Sequence, residues 1–179
     1  MATRTLRDFA VRRCNVADAE MLAELGARLF AETYGPTHPE PELSRYLARS
    51  FAVDDMRAAI ENEDVTMFVA ENLDAHPVGY AFLRKTSEPP DGVTEANSYE
   101  VVRFYVDSGA QGRGVGAALM EECFDESRRR GADLIWVQVW KQAPWAVGFY
   151  RRMGFVAVGS APFYFGDQIG DDHIMSRPL

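Results

Sequence analysis

Seven consecutive residues, Gln111-Gly112-Arg113-Gly114-Val115-Gly116-Ala117, carry glycine at three alternate positions. Without a Cβ, each glycine lets a ligand come close to the main chain. The residues that follow have helical spacing, so the N–H groups here are first-turn donors with no partner inside the helix. Free amides and a helix dipole together favour negative charge, and a diphosphate suits such a helix start. Arg113 adds a full positive charge beside them.

Two familiar glycine loops fit poorly. A P-loop needs Lys followed by Ser or Thr after its last glycine, and Val115 and Ala117 stand nearby instead. The dinucleotide fingerprint G-x-G-x-x-G/A can be laid on Gly112, Gly114 and Ala117. In that fingerprint the strand runs almost directly into the first glycine, and the ribose-binding acid ends the next strand. Here Asp107-Ser108-Gly109-Ala110-Gln111 intervenes, and the acid at the right distance, Asp133, opens its strand. The pattern that remains is Gln111-x-x-Gly114-x-Gly116.

The loop must be held between a strand and a helix. Residues 99–107 are rich in β-branched and aromatic types and predict the strand. Residues 108–113 form the turn, and the helix starts near Gly114. Its apolar stripes, Val115-Leu119-Cys123 and Gly116-Met120-Phe124, recur every four residues and face a core. Gly131 stops it, and Arg128, Arg129 and Arg130 in its last turn read as a solvated end that suits the dipole. Residues 133–140 are almost continuously apolar, as in a buried strand. Pro144 opens a helix that runs to about Met153, with Gly154 ending it. Residues 155–160 predict a strand, 161–172 aromatic and glycine turns, and 173–176 a closing strand.

Upstream, residues 9–15 read as the first strand. Asp18 is the expected N-cap of a helix over 19–33. Residues 34–41 are a breaker segment rich in proline. Helices over 42–50 and 53–61 follow. Residues 65–71 and 77–85 predict a hairpin around 72–76, and 86–98 a polar loop. Alternating strands and helices mean an α/β (α+β mixed) fold, a mixed sheet with helices on both faces.

The 179 residues, 47% apolar and 26% charged, fit one domain spanning 1–179. No apolar run reaches transmembrane length, and charges interrupt the N-terminal stretch where a signal peptide would be apolar. Cys14 and Cys123 are far apart and need not pair, which favours a reducing, cytoplasmic setting. A net charge of −8 argues against nucleic-acid and anionic-membrane partners. It leans toward a cationic partner such as an amine, or simply serves solubility. His38, His76 and His173 lack metal-ligand spacing, and no Ser-His-Asp or Cys-His grouping predicts a covalent acyl-enzyme.

The motif Gln111-x-x-Gly114-x-Gly116 resembles the pyrophosphate loop of the GNAT superfamily, the coenzyme-A-dependent N-acyltransferases. Residues 139–155, VWKQAPWAVGFYRRMGF, resemble that family's second signature, a strand and then a helix holding Phe-Tyr and ending in Gly-Phe. The resemblance covers roughly residue 65 to the C-terminus. It implies a central mixed, mostly antiparallel sheet of about six to seven strands. It also implies acetyl-CoA as co-substrate, no metal, a small-molecule amine as acceptor, and a possible homodimer.

The same resemblance assigns roles. Gln111, Gly112, Arg113, Gly114, Val115, Gly116 and Ala117 hold the pyrophosphate. Phe104, Tyr105 and Val106 offer main chain to the pantetheine arm, and a backbone N–H there stabilises the oxyanion. Glu100, eleven residues before Gln111, is the general base or a contact for the amine; alternatively it is a structural strand residue. In some relatives the base stands in the next strand, where this chain has Gln138, which cannot act as one. Tyr150 is the general acid toward the leaving thiolate, since a phenol is protonated at neutral pH; its bland alternative is a core aromatic. Ala143 replaces the family's frequent Asn, with Gln142 as a substitute. The region before the second strand holds the acceptor in this family, which draws in Glu32, Tyr34, His38 and Glu42; alternatively these belong to a solvated helical hairpin. The implied function is acetyl transfer to a primary amine by direct attack in a ternary complex; the alternative is a non-catalytic acyl-CoA-binding module.

Overall fold

A computed structural model describes residues 4–5, 8–37, 40–94, 97–165 and 168–179. In chain order the strands are β1 (Arg4–Thr5), β2 (Phe9–Arg13), β3 (Val65–Asn72), β4 (Pro77–Lys85), β5 (Ser98–Val106), β6 (Leu134–Trp140), β7 (Val156–Phe165) and β8 (Gln168–Pro178). The helices are α1 (Ala19–Tyr34), α2 (Glu42–Ser50), α3 (Val53–Glu61), α4 (Val115–Arg129) and α5 (Pro144–Arg152). The hydrogen-bonded strand order is β1-β2-β3-β4-β5-β6-β8-β7. This is the mixed α/β fold expected from the sequence, with eight strands among the described residues where about six to seven were expected. The two-residue β1 is among them.

Contacts divide the chain into two compact units. One comprises the chain up to Phe82 together with Arg103–Leu119; the other comprises Leu83–Val102 and Met120–Leu179. In the first unit β2 runs antiparallel to β1 and β3, from Phe9 opposite Asn72 to Arg13 opposite Phe68. Helix α1 buries Leu22, Leu25, Gly26, Leu29 and Phe30, the three-and-four spacing of a single face. Phe30 anchors an aromatic group, with ring centroids 4.7 Å from Tyr34, 4.6 Å from Tyr46 and 5.8 Å from Phe51.

Asp18 does not cap α1 with its side chain, contrary to the sequence reading. A 3-10 turn, Val16–Asp18, precedes the helix, and Asn15 caps that turn. Asn15 Oδ1 accepts from the Ala17 amide at 2.9 Å, and Asp18 Oδ2 accepts from the Asn15 amide at 2.8 Å. The remaining capacity of Asp18 goes to Arg12, which also binds Glu71. Asp18 does stand at the N-cap position of α1, but its carboxylate is spent on the Asn15 amide and Arg12 rather than on a first-turn amide of the helix.

In the second unit β6 is central. It pairs parallel to β5 at Ser98–Leu134, Tyr99–Ile135 and Glu100–Trp136. Its other edge runs antiparallel to β8 from Leu134–Pro178 to Trp140–Asp172, and β7 closes the sheet on β8. Residues 161–172, expected to be turns, are mostly strand. Their aromatic and glycine residues suggested turns, but the stretch pairs β7 with β8, from Ala161 opposite Asp172 to Phe165 opposite Gln168. The arginines ending α4 are not merely solvated. Buried Glu126 accepts from Arg129 and, at 2.6 Å, from Arg130. Both cysteines are buried free thiols.

Candidate active site

The glycine loop lies in the first unit. Asp107 Oδ1 accepts from the Gly109 amide at 2.9 Å and starts a single 3-10 turn, Ser108–Ala110. Gln111 turns back, its Nε2 donating to the Val106 carbonyl at 3.0 Å. Gly112 and Gly114 then take φ values of +72° and +87°. These are left-handed conformations that an L side chain adopts only at a cost. A Cβ at either position would meet nothing within 4 Å, so the space beside both is open. The first helical acceptor is the Gly114 carbonyl, bound by the Ala118 amide at 2.9 Å. Helix geometry therefore leaves the first-turn amides of Val115, Gly116 and Ala117 without intrahelical partners. An open, backbone-lined cradle with unpaired donors fits a diphosphate.

Arg113 sits at the same turn. Its Nη2 donates to Asp8 Oδ2 at 2.8 Å, and its guanidinium lies 4.6 Å from the Phe9 ring centroid. Both partners of the ion pair are about half exposed, so the contact is weak and readily exchanged. Asp107 is held by Arg28 at 2.8 Å, which keeps its carboxyl below the usual carboxylate range. On β5, Phe104 and Val106 are half-buried. Tyr105 lies 5.9 Å from Tyr80, ring to ring, and burial pushes its phenol well above its ordinary value. The parallel ladder to β6 takes in only Ser98–Glu100; the six residues that follow on β5 are outside it.

Glu100 and Tyr150 belong to the second unit. The Glu100 side chain is 15% exposed, and its carboxylate accepts from Arg84 Nη2 on β4. Trp136, opposite Glu100, is fixed by its indole N–H to Thr86 Oγ1 at 2.8 Å. Tyr150 is buried on α5, with its ring edge-on to Phe149 at 5.4 Å and to Phe155 at 5.5 Å. Gly154, at φ +87°, ends the helix, and the Phe155 amide returns to the Tyr150 carbonyl at 3.0 Å. The second signature therefore locks the Tyr150 backbone and ring.

Gln138 Nε2 donates to Asp172 Oδ2 at 3.1 Å and to the Pro162 carbonyl at 3.2 Å. Gln142 is exposed in the turn before α5, and Ala143 is buried at the start of that helix. Of the residues expected near the acceptor, Glu32 pairs with Arg28, Tyr34 joins the aromatic group, and Glu42 opens α2. His38 lies outside the described residues. The sequence reading missed Arg84 and Asp172. Period-two alternation along β8 puts Asp172, Ile174 and Ser176 on one face, a signal that the glycine-rich stretch before it obscured. Among the described residues no group of three His, Cys, Asp or Glu side chains is placed to hold a metal. No helix of the described residues is long and apolar enough to cross a membrane.

Residues 27–155 match the Acetyltransferase (GNAT) family. The chain belongs to that family and is an acetyl-CoA-dependent N-acetyltransferase. It is similar to an uncharacterized N-acetyltransferase of Lactobacillus delbrueckii subsp. lactis, 23% identical over 84% of this chain and 86% of the relative. It is also similar to the N-alpha-acetyltransferase RimI of Mycobacterium tuberculosis, 29% identical over 90% of this chain and 87% of the relative. Its fold is shared with the PaiA N-acetyltransferase of Thermoplasma acidophilum, solved in complex with coenzyme A. That structure has a TM-score of 0.76 at 19% identity, covering 96% of this chain and 99% of the other.

Proposed function

We propose that the protein transfers an acetyl group from acetyl-CoA to a primary amine by direct attack, with a small cationic amine as acceptor. The observation that carries the cofactor reading is the loop: two glycines in left-handed conformations with open space beside them, at a helix start with unpaired amides. Bound acetyl-CoA supplies the acetyl group as a thioester. The amides of Val115, Gly116 and Ala117 receive its diphosphate, and Arg113 exchanges Asp8 for a phosphate oxygen. Main chain at Phe104, Tyr105 and Val106 pairs with the pantetheine arm, and one N–H there binds the thioester oxygen.

Glu100 takes the ammonium proton, so the neutral amine forms the new N–C bond as the C–S bond breaks. The Tyr150 hydroxyl gives its proton to the departing sulfur, and the second proton, shed by the acylated nitrogen, restores the phenol. The overall charge of −8 supports a cationic acceptor. Mixing the protein with acetyl-CoA and a panel of amines and measuring free thiol tests the reading; no release with any amine sinks it. Gly114→Ala tests the loop separately. It forces a side chain into φ +87°, a cost of about 1–2 kcal/mol, or a re-aimed loop. The dissociation constant for acetyl-CoA should rise about tenfold, measured by calorimetry.

A further inference from the structure

Asp172 is a buried carboxyl with no part in the chemistry above. It is 5% exposed. Its Oδ2 accepts from Gln138, while Oδ1 is sealed from solvent and has no hydrogen-bond partner. Native structures seldom leave a buried polar atom unmatched, and an unmatched one calls for an explanation. Burial pushes the Asp172 carboxyl up from its ordinary value, against the Gln138 hydrogen bond that lowers it. The charges around it do not supply a partner. Asp171 is an anion and is held by Lys141 at 2.6 Å; His173 and Lys141 act on Asp172 only through space.

Strand register ties this carboxyl to Glu100. Glu100 stands opposite Trp136 on β6, and Asp172 opposite Trp140. Trp136, Gln138 and Trp140 alternate to one face of β6, and directly opposed residues on neighbouring strands share a face. Glu100 and Asp172 therefore stand on the same face of the second unit. Four residues along β6 separate the two positions by about 13 Å, and two strand spacings add about 10 Å across, so they are roughly 16 Å apart. The side chains beside Asp172 on that face, Trp140, Ala161 and Phe163, are half-buried rather than sealed.

We propose that Asp172 is a specificity-determining residue whose unpartnered oxygen receives a second cationic nitrogen of the acceptor, which selects extended polyamines over monoamines. The inference rests on the reading of Glu100 as the site of the reacting amine. With each nitrogen within about 3 Å of its carboxylate, roughly 10 Å remains to be bridged, close to the extended length of spermidine. Gln138 fixes the other oxygen, so Asp172 is oriented before the ligand arrives.

Asp172→Asn keeps the shape and an acceptor for Gln138 but removes the charge. Spermidine titrated by calorimetry into the coenzyme-A-loaded protein should bind the variant at least tenfold more weakly than the wild type. The ratio of kcat/KM for spermidine to that for hexylamine should fall by a similar factor. A merely structural role would instead lower Tm and reduce both amines in parallel. Equal spermidine affinity in the two proteins, or parallel losses for both amines, overturns the proposal. Failure of the acetyltransfer reading looks different: no thiol is released with any amine, while the titration still gives its own answer.

Discussion

The two residues given the proton transfers are held in opposite ways. Tyr150 is fixed by rings on both sides and by a helix end that cannot shift without moving Gly154. Glu100 is held by one guanidinium whose own side chain is half exposed. A rigid phenol suits a donor that must meet one sulfur position; an exchangeable partner suits a carboxylate that must give up one cation for another. Tyr150→Phe keeps the ring contacts and removes only the hydroxyl. It should lower kcat about 10²-fold while leaving the acetyl-CoA dissociation constant within about twofold, read by single-turnover kinetics and calorimetry. Unchanged turnover would remove Tyr150 from the proton path. The glycine turn and the helix that carries Tyr150 were legible because their motifs are contiguous. The Arg84–Glu100 pair was not: its partners sit on two strands, β4 and β5, with twelve residues between them in sequence, and only the pairing of those strands brings them together.

At the level of elements, helices were read best where local signals agree. α2 and α3 have the bounds expected from the sequence, Glu42–Ser50 and Val53–Glu61. Aromatic and glycine residues misled where tertiary context overrides them, as in β7, and Asp18, which does stand at the N-cap position of α1, spends its carboxylate on Arg12 and the Asn15 amide instead of capping. Gly26 shows the same competition inside α1. Replacing glycine by alanine in a helix interior ordinarily gains up to about 1 kcal/mol. Here the added Cβ would stand 2.7 Å from two Phe51 ring atoms and 2.9 Å from the Tyr80 hydroxyl. Phe51 is hemmed in by Phe30 and by the Arg103 guanidinium 4.5 Å from its ring centre, so it has little room to yield. Overpacking of this kind costs about 1–3 kcal/mol. Gly26→Ala should therefore lower the urea midpoint despite its better helix propensity; a raised midpoint would mean that the Phe51 ring moves freely.

Over the whole molecule, 27 acidic side chains face 19 basic ones, and pairing decides which acids matter for stability. Arg28 and its partner Asp107 are too exposed for a large effect, with side-chain exposures of 45% and 29%. The Arg12 network is better shielded, at 31% for Arg12, 12% for Asp18 and 20% for Glu71. Its hydrogen bonds to Arg12 hold Asp18 below the ordinary carboxylate value. Below that ordinary value the folded protein binds fewer protons at Asp18 than the unfolded chain, so stability rises with pH there and falls as Asp18 is protonated. The contribution is complete above about pH 5 and is lost progressively below about pH 4. Arg12→Met strands two carboxylates and should cost about 2 kcal/mol at pH 7. Because part of that cost arises from Asp18 ionisation, the gap between variant and wild type should narrow as the pH falls from 7 to 3 and the advantage of the ionised, Arg12-bound carboxylate is lost. Urea midpoints at pH 7 and pH 3 decide it: a gap that stays constant would place the acid sensitivity elsewhere in the chain.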